Sequence, residues 1–68
     1  MMVHARFPTA SETERIYTCL TRTPRPTAEV ARMARLPFEK VKCALRSLHY
    51  QRRAVLTSSG WIARRRMA

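Results

Sequence analysis

The side chains with the most chemistry to offer lie close together, at Glu39, Lys40, Lys42, Cys43 and Arg46. They bring one carboxylate, three cations and a thiol, a set suited to recognition rather than to bond making. Arg46 can take guanine through O6 and N7, and Glu39 can accept from cytosine N4. Glu39 can equally tether Arg46 or Lys42 by a local ion pair. Lys40 suits a phosphate. The plain alternative is a solvated charged surface. Catalysis finds little support. The chain has four carboxylates, Glu12, Glu14, Glu29 and Glu39, and no Asp, so no Ser-His-Asp set can form. It has one Gly and hence no Gly-rich phosphate loop. Cys19, Cys43, His4 and His49 match no zinc spacing. No enzyme and no cofactor are expected.

The whole-chain balance points the same way. Fourteen Lys and Arg against four acidic residues give a net charge of +10 in 68 residues. Such a chain repels itself unless a polyanion is present. Nucleic acid is the first candidate and an anionic membrane surface the second. Twelve of the fourteen bases are Arg, the side chain suited to bidentate phosphate and guanine contacts. Two cysteines make no disulfide framework and suggest a reducing compartment. No stretch has the length of a membrane span, and Met1 to Ala10 has no run fit for a signal peptide. The expected location is cytoplasmic.

Positioning these side chains falls to three helices and a hairpin. Ser11 and Glu14 fit a capping box that opens a first helix running to about Arg22, with Ile16 and Leu20 as its stripe and Tyr17 or Cys19 on its flanks. Thr23-Pro24-Arg25-Pro26 ends it. Thr27 caps a second helix through its hydroxyl, and Val30, Ala31 and Ala34 form its apolar stripe. A tight turn at Arg35-Leu36-Pro37 leads to a third helix, with Pro37 at its first position and Val41, Ala44, Leu45 and Leu48 as its stripe. Phe38 is expected at the rim of that stripe and Cys43 facing outward. Ala54 to Thr57 and Trp61 to Arg64 alternate as two strands around Ser58-Ser59-Gly60. That hairpin is expected to cover the helices with Leu56 and Trp61.

The run Thr-Ala-Glu-Val-Ala, then Leu36-Pro37, Val41, Ala44-Leu45, Leu48 and Val55 resembles the winged helix-turn-helix of bacterial transcription regulators. The Leu-Pro-x-x-x-Val portion is similar to the DNA-binding domains of the isocitrate-lyase-regulator type. The size and the Thr-Ala-Glu-Val-Ala opening are similar to small regulators of fimbrial operons. The resemblance spans roughly Ser11 to Arg66. Its turn often carries Gly where this chain has Arg35, which puts Arg35 at φ > 0.

These readings give a mainly α fold with a small β-hairpin, a three-helix winged helix-turn-helix over residues 11–66 preceded by a flexible arm at 1–10. The expected function is sequence-specific binding of duplex DNA by a transcriptional regulator, with the third helix, about 38–51, in the major groove. Lys42, Cys43 and Arg46 would approach base edges beside Glu39, with Lys40 near phosphate. Arg32 and Arg35 by the turn, Arg52 and Arg53 before the wing, and Arg64 and Arg65 after it would touch phosphates. The run from Arg64 to Arg66 reads equally well as a basic tail. Trp61 reads as core, with base stacking second; His49 and Tyr50 read as packing or phosphate contacts. The fimbrial resemblance keeps open a protein-interaction module, or co-regulator, acting with a larger DNA-binding partner or as a dimer. A winged helix binding structured RNA also stays open.

Overall fold

The structure is a computed structural model and describes residues 7–64. Three helices, α1 (Ala10–Cys19), α2 (Thr27–Ala34) and α3 (Phe38–Tyr50), precede an antiparallel hairpin of β1 (Ala54–Thr57) and β2 (Gly60–Ala63). One core joins them. Ile16 and Leu20 from α1 and its end, Val30, Ala31 and Ala34 from α2, and Val41, Ala44, Leu45 and Leu48 from α3 are all buried. Ala54, Trp61 and Ala63 close it from the hairpin. The apolar stripes are those the periodicity assigns.

Helix α1 starts two residues before its expected position. Thr9, not Ser11, is the N-cap: its hydroxyl accepts from the Glu12 amide at 3.1 Å, and Glu12 accepts from the Thr9 amide at 2.9 Å. Thr9-Ala-Ser-Glu12 and Ser11-Glu-Thr-Glu14 carry the same box pattern. The earlier one uses Glu12 Oε1, leaving its Oε2 for Lys40 and both Glu14 oxygens for Arg53. Thr9 and Ala10 therefore belong to the folded body rather than to the arm, while residues 1–6 of that arm lie outside the described residues. The helix also ends early, at Cys19, where Leu20 turns extended and is buried.

Thr27 does not cap α2. Pro26 holds the N-cap position without a side-chain bond, and Thr27 is the first helical residue. The Thr27 hydroxyl instead accepts the Trp61 indole N–H at 3.0 Å. Pro37 likewise sits one place earlier than expected, as the N-cap of α3. The far end of α2 is tied to α1, where the Arg15 guanidinium donates to the Ala34 carbonyl at 2.7 Å. A cation there meets the carbonyls that the helix leaves open.

Helices α2 and α3 end alike. Leu36 N–H reaches Ala31 O and Arg35 N–H reaches Arg32 O; Arg53 N–H reaches Leu48 O and Arg52 N–H reaches His49 O. This paired pattern needs one left-handed residue, usually Gly. Here Arg35 takes it at φ 60, as the family resemblance implied, and Arg52 takes it at φ 64. A side chain in that region costs on the order of 1 kcal/mol.

The hairpin pairs Ala54 with Ala63 and Leu56 with Trp61. The segment Thr23-Pro24-Arg25-Pro26, read only as the end of the first helix, adds a third, minimal strand: Arg25 and Trp61 exchange both backbone bonds, at 3.1 and 2.7 Å. Gly60 makes this approach feasible. It has φ +135, and a Cβ there would stand 2.5 Å from the Arg25 carbonyl carbon. Leu56 departs from expectation. It lies directly opposite Trp61 on the same face but is 57 % exposed, because Trp61 is on the inner strand, between Leu56 and Arg25 and against Thr27 and His49, while Leu56 is on the outer one. Phe38, at 47 % exposed, likewise lies outside the core it was expected to rim.

The two leucines therefore make opposite predictions. Leu45→Ala should cost about 2–5 kcal/mol, comparable with the whole stability of so small a domain. Leu56→Ser should change stability by less than about 0.5 kcal/mol. Thermal melts by circular dichroism check both.

Candidate nucleic-acid interface

Helix α3 presents a polar face because its apolar stripe is fully occupied. At about 100° per residue, Glu39, Arg46 and Tyr50 fall opposite Val41 and Leu48, and all three are exposed. Tyr50 is 90 % exposed, so it does not pack. Lys42 lies on one flank, 3.6 Å from Glu39 and 5.9 Å above the Phe38 ring. Glu39 thus tethers Lys42 rather than Arg46. Both groups are at least half exposed, so the pair is weak and open to exchange with a ligand. Arg46 has no carboxylate partner and borders a shallow depression with Phe7, Pro8, Thr13, Cys43 and Ser47. Cys43 is half-buried there instead of facing freely outward. Cys19 and Cys43 are both free thiols.

Two expected contact residues are engaged elsewhere. Lys40 turns towards α1 and pairs with Glu12 at 2.9 Å, its side chain only 17 % exposed. Arg53 grips both oxygens of Glu14, at 2.6 and 3.1 Å, and stacks 4.2 Å over the Tyr17 ring. Lys40 and Arg53 are cross-links between α1 and the α3 region, so a phosphate would have to compete with Glu12 and Glu14 for them. Sequence spacing could not reveal this, since Arg53 and Glu14 are 39 residues apart.

The electrostatics follow from that pairing. Each carboxylate has taken a cation: Glu12 with Lys40, Glu14 with Arg53, Glu29 with Arg25, Glu39 with Lys42. The Thr9 amide, then Lys40, holds Glu12 below its ordinary carboxylate range. The Arg53 hydrogen bond lowers Glu14 and raises Arg53 in turn. Among the described residues this leaves Arg15, which donates to the Ala34 carbonyl, and Arg22, Arg32, Arg35, Arg46, Arg52 and Arg64 without a carboxylate. Arg32 and Arg35 are exposed at the end of α2. Arg52 and Arg64 stand at the root of the hairpin, beside the Ala54–Ala63 pair. The hairpin's turn is uncharged: Thr57, Ser58, Ser59 and Gly60. So the expected basic wing carries its charge at its base, not its tip. Arg65 lies outside the described residues.

His49 proves to be a positioning residue. Its Nδ1 lies 3.2 Å from the Ala54 carbonyl, an acceptor, so that nitrogen carries the proton. Its ring stands edge-on to Trp61, with centroids 6.0 Å apart. This fixes the end of α3 against the hairpin. Among the described residues no cluster of His, Cys, Asp or Glu could hold a metal ion, and no helix is long and apolar enough to cross a membrane. No family model matches the chain, and no curated protein or solved structure matches it significantly.

The two α1 pairs predict a pH signature. Depressed carboxylates contribute stability that is present above their unfolded pKa and lost as pH falls through the lower folded value. Melting temperature in low salt should fall as pH drops from about 6 to about 3. Replacing Glu12 and Glu14 by Gln should flatten that part of the profile.

Proposed function

We propose that this chain is a winged helix-turn-helix that binds duplex DNA as a transcriptional regulator. The observation that carries the reading is the face of α3. Arg46, Lys42, Glu39 and Tyr50 project from a helix whose other side is fixed in the core, on a chain whose carboxylates are each already matched by a cation. A rigid helix displaying an unpaired guanidinium suits the major groove, which admits one helix and offers guanine O6 and N7. Arg46 is the principal reader. Lys42 can leave Glu39 for a base edge or phosphate, and the Tyr50 hydroxyl suits the backbone. Arg32 and Arg35 flank this face with phosphate contacts, which set register rather than sequence. The left-handed turn at Arg35 and the hairpin lying back against α3 support the same architecture. With such a charge excess, affinity for DNA would be strongly salt dependent.

A second reading has one observation behind it. Met33 and Phe38, on either side of the α2–α3 turn, are 44 % and 47 % exposed. Apolar side chains there suit a protein partner, and a co-regulator joined to a larger DNA-binding protein would use them.

Titration with duplex DNA, duplex RNA and single strands at several salt concentrations separates these readings. Duplex DNA should be preferred, with a log–log salt slope of roughly −0.9 per phosphate neutralised. Arg46→Ala should cost about 1–3 kcal/mol on a selected site and much less on random DNA. Salt-insensitive binding, a preference for RNA duplexes, or equal losses on both DNAs would contradict the assignment.

A further inference from the structure

The unpaired cations do not form one surface. Arg52 and Arg64 lie at the C-terminal end of α3, away from the turn that introduces it. They line a groove of about 620 Å³ with Tyr17, Gln51 and Arg53. Gln51 is about 140° around the helix from Arg46, on the side towards α1, and more than a turn further along. On its other side Arg52 and Arg64 border a second depression with Tyr50 and Val55, so the root of the hairpin adjoins the far end of the α3 face.

Among the described residues Arg52 and Arg64 meet no carboxylate in this groove, while the Gln51 amide already donates to the Ser47 hydroxyl at 3.2 Å. The groove holds three guanidiniums, an amide and a phenol, and the nearby Glu14 is already held by both nitrogens of Arg53. Arg64 is fixed beside Arg53 by a backbone bond from its N–H to Arg53 O at 2.9 Å. Arg52 is fixed by the left-handed turn that ends α3. The described chain has two non-glycine residues at positive φ, and both are Arg. Gly would fit either position with less strain, so at both the fold bears a conformational cost that displays a guanidinium. At Arg35 that guanidinium flanks the α3 face; at Arg52 it borders the groove.

We propose that Arg52 and Arg64 form a second binding surface for a phosphodiester backbone, so that one chain holds two backbone tracts at once. The ligand chemistry is a row of phosphates, which guanidiniums on a ridge can follow without reading bases. The tract can come from a second duplex, giving a bridge, or from a more distant part of the same duplex bent around the domain. The proposal rests on the duplex-binding reading for its first tract alone.

The test uses the full chain, Arg46→Ala, and the double variant Arg52→Gly with Arg64→Gln. Gly is the favoured residue at the Arg52 turn, so this variant should melt no earlier than the parent in circular dichroism. Three DNA probes are used: a 15-base-pair duplex in anisotropy, donor- and acceptor-labelled 15-base-pair duplexes mixed together, and a 40-base-pair duplex labelled at both ends. The parent should produce energy transfer between the mixed duplexes if the tract belongs to a second molecule, or between the ends of the long duplex if it belongs to the same one. The double variant should abolish that transfer while weakening binding to the single short duplex by no more than about threefold. On whichever probe shows the transfer, it should also lower the salt slope by about two. Arg46→Ala should weaken short-duplex binding itself. Absence of transfer with the parent, or full transfer with the double variant, overturns the proposal. So does a double variant that loses short-duplex binding as severely as Arg46→Ala, because the two sets of arginines would then be one surface. If Arg46→Ala has no effect on short-duplex binding while the double variant keeps that binding and abolishes transfer, the α3 reading fails and the second surface stands.

Discussion

Trp61 is the contact on which the rest of the molecule depends. Its backbone bonds in both directions to Arg25, its indole N–H reaches the Thr27 hydroxyl, and its ring meets His49 edge-on. One residue thus fixes the segment before α2, the first turn of α2, the end of α3 and the hairpin. A buried indole needs a partner for its N–H, and Thr27 supplies it. The cap that Thr27 might have given α2 is forgone, and Arg15 on the Ala34 carbonyl compensates at the other end. The attitude of α3, and so the aim of Arg46, is set by these contacts rather than by α3 itself.

Charge does the remaining positioning. In a chain with so few carboxylates, each one is placed. Glu12 and Glu14 receive Lys40 and Arg53 across α1, while Glu29 and Glu39 hold Arg25 and Lys42 on or beside their own helices. The first two pairs knit the domain together. Glu39–Lys42 is the most exposed of the four and restrains its side chains only loosely. Among the described residues the Lys and Arg side chains left over are all arginines, whose planar forks suit bidentate contacts.

Much of this was legible from the sequence where it rested on local periodicity. The stripes at Ile16 and Leu20, at Val30, Ala31 and Ala34, and at Val41, Ala44, Leu45 and Leu48 follow from helical spacing, and all are buried. The hairpin followed from alternation around Ser58-Ser59-Gly60. Less could be read where two local solutions competed or where a partner lay far along the chain. Thr9 and Ser11 offer the same capping box, and only Lys40 and Arg53 decide between them. Thr27 looks like a cap until Trp61 claims its hydroxyl. The third strand at Arg25 has no signature between two prolines, and its trace lies 35 residues on, in the lone glycine. Arg53 and Lys40 looked like free cations because their carboxylates belong to another helix. Leu56 looked buried because alternation gives its face but not which strand of the hairpin lies inward.

The position of Trp61 after all three helices bears on how the domain comes to be folded in a cell. Its three helices have 10, 8 and 13 residues, lengths at which an isolated helix is marginal in water. A chain emerging from the ribosome would expose all three before the residue that locks them together has been made. Arg25, Thr27 and His49 then wait for the same late-arriving side chain. Folding is therefore expected to wait for Trp61 and to occur all at once, with no stable half-domain on the way. A message cut short before the codon for Trp61 would yield a basic, unfolded peptide rather than a smaller version of the domain.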